Sequence, residues 1–106
     1  MKKQTYLKKA EKRLSELDEK LNEIKRQIAA KSFEAGHKFR RQLDALRVKR
    51  EEIQELLNHL KAMEAEYWEE TLNELELRMY HLRNSVQHLG ERLKAHQTNQ
   101  SETVEE

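Results

Sequence analysis

The sequence contains no proline and no cysteine, and only two of its 106 residues, Gly36 and Gly90, are glycine. Proline and glycine are the residues that most often interrupt a helix, so their scarcity leaves few places where a helix must end. The missing cysteines exclude disulfide bonds and thiolate metal sites within this sequence. The composition therefore predicts a chain that is nearly all helical and has no covalent cross-links.

Long apolar runs are also missing. No stretch approaches the ~18 consecutive apolar residues of a membrane-spanning helix. Residues 1–13 are charged throughout and lack the apolar core of a secretory signal. We therefore expect a soluble, cytoplasmic protein. Charged residues make up 39% of the chain and hydrophobic residues 36%, proportions that suit long helices with narrow apolar seams better than a globule with a thick core.

The net charge is only +1, but the charges are unevenly distributed. Basic residues outnumber acidic ones by ten to five in residues 1–31 and by seven to five in residues 32–61. In residues 62–106 the balance reverses to four basic against ten acidic residues. Because opposite charges attract, this polarity favours packing of the last segment against an earlier one, within one chain or between chains.

Heptads of apolar residues dominate the sequence. Segments at about 3–31, 38–61 and 67–95 place them at alternating spacings of three and four, the pattern of a coiled-coil seam. They predict an all-α domain over residues 1–96, without β-strands, followed by a disordered acidic tail at 97–106. The predicted interaction seam comprises Leu14, Leu17, Leu21, Ile24, Ile28, Trp68, Leu72, Leu75, Met79, Leu82, Val86 and Leu89.

The heptad register slips by one residue after Ile28 and again after Leu60, which indicates candidate turns near Gly36 and near Ala65. Three architectures fit this pattern: an antiparallel coiled-coil hairpin, a three-helix bundle, or a still longer rod. A three-helix bundle buries its own seams. A hairpin leaves leucines of its longer arm exposed, and a second copy of the chain would cover them.

Two stretches carry a family resemblance: residues 44–52, DALRVKREE, and residues 68–72, WEETL. They resemble a group of small bacterial coiled-coil proteins that are apolipoprotein-like and either stress-responsive or of unknown function. The likeness covers about residues 5–90. It implies a long first arm through the Gly36 region and a turn shortly before Trp68. It implies no catalytic or cofactor residues. The group tends to carry small residues before the tryptophan, whereas this chain has MEAEY at 63–67.

A basic cluster lies on the second predicted helix. Basic-zipper proteins read DNA with such a helix, but they also use an asparagine against the base edges. The nearest asparagine here is Asn58, outside the cluster, and Asp44 interrupts it. We therefore expect these charges to flank a seam and to pair with the glutamates of residues 64–76. The candidate basic contacts are Lys38, Arg40, Arg41, Arg47, Lys49 and Arg50.

Five histidines are present, yet their spacing does not favour a metal site. A helical carboxylate site needs Glu-x-x-His pairs that converge on one ion. Only His37 has a glutamate three residues before it, Glu34, so a second pair that could converge with it is missing. The serines lack the glycine-rich turns that expose a nucleophile, and no phosphate-binding loop is present. We therefore expect neither catalysis nor a cofactor or metal. The histidines are His37, His59, His81, His88 and His96.

The sequence thus favours a non-enzymatic coiled-coil protein that associates with itself, as a dimer or tetramer, or with another helical protein. The seam expected to face outward runs from Leu14 to Ile28. Leu77 and Tyr80 lie off the seam, one turn apart, and form a second candidate contact strip. Nucleic-acid binding through residues 38–50 and membrane-surface binding remain as alternatives, although the narrow apolar stripe does not favour a membrane helix.

Overall fold

The computed structural model describes residues 2–105, and for residues 3–96 it also describes the side chains. Over this range the chain forms three α-helices and no β-strand: α1 (Lys2–Ala29), α2 (Phe33–Ala62) and α3 (Trp68–Glu105). A short 3-10 helix, Ala65–Tyr67, precedes α3. The prediction of an all-α fold is confirmed. The side chains of the predicted tail at 97–106 lie outside the described residues. The disorder of this tail therefore stays a prediction.

The first turn lies between α1 and α2, at residues 30–32. Ser32 is the N-cap of α2: its backbone is extended, and its side-chain oxygen accepts a hydrogen bond from the Ala35 N–H at 3.2 Å. This cap satisfies one of the free N–H groups at the helix start. The expected position near Gly36 is therefore wrong by about one helical turn, and Gly36 lies inside α2. The long first arm implied by the resemblance is interrupted here.

Gly36 has a packing role instead of a turn role. It is buried, and a Cβ atom at this position would lie 2.9 Å from Arg40 Nη1 and 3.3 Å from the Ile28 carbonyl oxygen. The absence of a side chain thus lets the start of α2 approach the end of α1 closely.

The second turn joins α2 to α3 at residues 63–67, close to the predicted position at Ala65. Met63 and Glu64 are extended, and the Met63 N–H donates to the Leu60 carbonyl at 3.2 Å. The Trp68 indole N–H donates to the same carbonyl, also at 3.2 Å. Two donors therefore satisfy a carbonyl in the last turn of α2, which would otherwise lack a helical partner.

The helices form a bundle in which α2 runs antiparallel to α1 and α3. Lys3, at the start of α1, contacts Met63 just beyond the end of α2. Lys31, just beyond the end of α1, contacts His96 in the second half of α3. The bundle measures 63 × 19 × 18 Å. Of the architectures that the sequence allowed, the three-helix bundle is the one observed.

Candidate interaction surface

The predicted interaction seam lies inside the bundle. Leu14, Leu17, Leu21, Ile24 and Ile28, which were expected to face outward, are only 2–5% exposed. In α3 the seam residues Leu75, Met79, Leu82, Val86 and Leu89 are buried, and Trp68 and Leu72 are half-buried against the same core. The seam therefore makes its contacts within one chain, and any contact surface of the folded chain has to lie elsewhere.

Trp68, at the start of α3, contacts both α1 and α2 beside the second turn. Its ring meets Tyr6 of α1 edge to face, with centroids 5.5 Å apart, while its N–H bonds the Leu60 carbonyl of α2. Burial raises the pKa of Tyr6 to about 12, and the negative charge of Glu76 adds to the rise while Arg13 opposes it. Trp68 thus anchors the packing at this end of the bundle, as large aromatic side chains commonly do.

Lys3 supplies a contact that sequence analysis missed. Its ammonium group donates to the Met63 carbonyl at 2.6 Å and to the Lys61 carbonyl at 3.3 Å. A cation at this position satisfies free carbonyl groups and complements the negative end of the α2 dipole. Nothing local to Lys3 signals the role, because it depends on the pairing of α1 with α2.

The six candidate basic contacts of α2 do not form one patch. Arg50 turns toward α1, where it forms a two-point ion pair with Asp18, and Arg47 lies beside the same pair. The Arg40 guanidinium bonds the Phe33 carbonyl at 2.7 Å and stacks on the Phe33 ring at 4.9 Å. Lys38, Arg41 and Lys49 are exposed. The predicted pairing with residues 64–76 is thus wrong for Arg50, whose partners are Asp18 and Glu51.

The histidines are dispersed along the bundle. His96 Nδ1 accepts a hydrogen bond from the Lys31 ammonium at 2.7 Å, and its ring packs edge to face on Phe39 with centroids 5.6 Å apart. His37 lies beside Phe33, and His88 lies 3.9 Å from Glu91. Among the residues that the structure describes, no group of three or more metal-ligating side chains could hold an ion.

An apolar strip remains exposed on α3. Leu77 is 57% exposed and Tyr80 is 53% exposed, and they lie one helical turn apart. Asn84 and His88 continue the same stripe at helical spacing. These four residues, Leu77, Tyr80, Asn84 and His88, define what we call the outer face of α3. The Arg83 guanidinium lies over the Tyr80 ring at 5.7 Å.

The surroundings of the outer face of α3 carry little charge. Residues 77–90 contain no acidic residue, and Arg78 and Arg83 are their only basic residues. Tyr80 also borders a groove of about 590 Å³ between α1 and α3, and the buried side chains of Leu17 and Met79 contribute to its wall. Protein interfaces are depleted of charged residues at their centre and enriched in tyrosine and arginine. The outer face of α3 contains no Lys, Arg, Asp or Glu and includes Tyr80, with Arg83 beside it.

The other exposed apolar residues differ from this strip. Val48 of α2 is exposed but has Asp44, Glu51 and Glu52 within one helical turn. Phe33 lies at the start of α2 and Tyr67 in the second turn, and neither has a second exposed large apolar residue within one helical turn. Isolated apolar side chains of this kind are normal on protein surfaces. The exposed apolar pair within a charge-poor stretch is the candidate site.

No protein-family profile, curated protein or solved structure matches the chain. The resemblance to small bacterial coiled-coil proteins therefore stays a prediction. Within the residues described, no helix combines the length and the apolar character needed to cross a membrane.

Proposed function

We propose that this chain is a non-enzymatic helical bundle whose function is to bind another helical protein surface, of its own kind or of a partner. The observation that carries the proposal is the exposure of Leu77 and Tyr80 on the outer face of α3. The seam residues Leu14 to Ile28 are committed to the core. For this reason the proposed contact moves from the seam to the outer face of α3.

The geometry of the strip suits a helix as its partner. Leu77 and Tyr80 are three residues apart, and apolar residues at this spacing are the anchors by which one helix packs on another. Tyr80 offers a large ring of limited conformational freedom, and Arg83 already lies over that ring. Tyrosine and arginine are over-represented among the residues that dominate binding energy.

The dispersal of reactive side chains supports the non-enzymatic part of the proposal. Catalysis needs a nucleophile or a base held beside other polar groups in a concave pocket. In the described part of the chain the histidines occupy separate positions along a bundle only 18–19 Å thick. The bundle core itself consists of apolar side chains.

Site-specific photocrosslinking tests the proposal. A photoreactive amino acid would be placed at position 77, and at position 48 as the matched control, because Leu77 and Val48 are equally exposed apolar positions, at 57% and 59%. Both variants would be expressed and irradiated in cells. We expect discrete protein adducts from position 77 and none from position 48. Equal adduct patterns from the two positions, or none from either, would contradict the proposal.

A further inference from the structure

We propose that the outer face of α3 binds the same face of a second copy of this chain, with the two α3 helices antiparallel. This inference rests on the proposed function and specifies its partner. In such an arrangement a twofold axis relates the copies, so each contact occurs twice. Tyr80 lies close to the axis, and Leu77 packs near Asn84 and Ser85 of the partner subunit.

The charge distribution along α3 is the reason for choosing a second copy and for the antiparallel direction. Residues 64–76 contain six glutamates and no basic residue, whereas residues 77–96 contain four basic residues and one acidic residue. A parallel pair would bring the six glutamates of one copy against the six of the other. An antiparallel pair brings each acidic segment against a basic one, which favours association and fixes its direction.

The neighbouring helix α2 adds to this polarity. Residues 33–50, which lie at the same end of the bundle as residues 78–96, contain six basic and two acidic residues. The basic start of α1 lies at the opposite end, beside the acidic start of α3. The charge of α1 therefore opposes the charge difference between the two ends of the bundle. That difference is carried by α3, and α2 adds to it.

The position of the apolar strip sets the register. With the twofold axis near residue 81, residues equally distant from it on either side face each other across the pair. Glu70 then faces Arg92 of the partner subunit, eleven residues from the axis on each side. Both side chains are exposed in the single chain and thus accessible to a second copy. Two such pairs would flank a centre formed by Leu77 and Tyr80.

Sedimentation equilibrium of the full chain provides the test. We expect a monomer–dimer equilibrium that weakens between about 0.1 M and about 1 M salt, because the Debye length falls from ~10 to ~3 Å. Leu77→Asp should raise the dimer dissociation constant by at least about tenfold, since it places a charge at the apolar centre. Val48→Asp is the matched control and should leave the constant unchanged.

Charge reversal tests the direction. Glu70→Arg and Arg92→Glu should each weaken the dimer, and the double variant E70R/R92E should restore it, because the pair is then re-formed with opposite signs. Circular dichroism and thermal unfolding establish that each variant is folded. A chain that stays monomeric at all concentrations, equal effects of L77D and V48D, or failure of the double variant to restore association would overturn the proposal.

The two proposals fail in different ways. If position 77 yields adducts only with other proteins while the chain sediments as a monomer, the second copy is wrong and the proposed function stands. If position 77 yields no adduct and the chain is a monomer, both are wrong.

Discussion

Arg50 of α2 holds Asp18 of α1 by two parallel hydrogen bonds, Nε to Oδ1 at 2.7 Å and Nη2 to Oδ2 at 2.8 Å. Arg50 occupies a position where the heptad pattern would place an apolar residue, and this pair explains why an arginine is accommodated there. The hydrogen bonds to Asp18 raise the pKa of Arg50 above its ordinary value. The two-point geometry fixes the relative position of α1 and α2 near the middle of the bundle.

We expect the Asp18–Arg50 pair to show clear coupling in a double-mutant cycle. Unfolding free energies of the unmodified chain, D18A, R50A and D18A/R50A should give a coupling free energy of about 1 kcal/mol. The pair forms two parallel hydrogen bonds and is partly shielded from water. The exposed Glu74–Arg78 pair within α3 is the control and should give ~0.3–0.5 kcal/mol. Equal couplings in the two cycles would contradict this interpretation.

Tyr6 should make the stability of the bundle sensitive to alkaline pH. Its pKa is raised from 10.0 to about 12 in the folded chain, so the folded state holds the phenol proton more tightly than the unfolded state. The resulting stabilisation is complete below pH 10 and is lost as the pH rises toward about 12. Urea unfolding at increasing pH should show that the unfolding free energy falls more steeply for the unmodified chain than for Tyr6→Phe. This variant keeps the ring against Trp68. Parallel curves would show that Tyr6 does not contribute.

The two glycines should respond differently to alanine. A Cβ at Gly90 would meet no atom within 4 Å, so Gly90→Ala should stabilise α3 by about 0.5–1 kcal/mol. The same change at Gly36 brings a Cβ to 3.3 Å from the Ile28 carbonyl oxygen, and the crowding should cancel or outweigh the helix preference. Thermal or urea unfolding of both variants checks this, and equal stabilisation would mean that Gly36 is not required for close packing.

Replacing Lys3 of α1, whose ammonium group bonds the end of α2, should destabilise the bundle. Lys3→Met removes the contacts with the Lys61 and Met63 carbonyls, and we expect a loss of ~0.5–1 kcal/mol. Lys9→Met, at an exposed position in the same helix, is the control and should change the unfolding free energy by less than about 0.5 kcal/mol. The interpretation fails if both variants lose the same stability.

Most of the core followed from the heptad pattern. Leu14, Leu57, Leu75 and Leu93 are buried because a seam at alternating spacings of three and four can bury only one face of each helix. The first turn lies before Gly36 because Ser32 begins α2, and a serine that precedes a resumed helical pattern is a start signal. A glycine inside a helix costs only about 1 kcal/mol. The close packing of Gly36 against Ile28 can offset this cost, so Gly36 lies inside α2.

The side-chain contacts between helices could not be predicted from the sequence. The roles of Lys3 and of the Asp18–Arg50 pair depend on which helices are neighbours and on their relative register, and local patterns do not encode either. The same holds for the seam from Leu14 to Ile28. Its spacing predicted a helix-packing surface equally well for a partner within the chain and for a second molecule, and the folded chain supplies the partner itself.

The antiparallel association of two α3 helices is tested most directly by a distance between copies. Because the sequence contains no cysteine, Ala95→Cys provides a single exposed site for a spin label. Ala95 lies 14 residues from the proposed axis, so double electron–electron resonance should give a separation of about 42 Å between the two labels, at ~1.5 Å per residue along α3. A separation below about 20 Å would indicate parallel helices, and the absence of a dipolar signal would mean that the copies do not associate; either result would contradict the proposal.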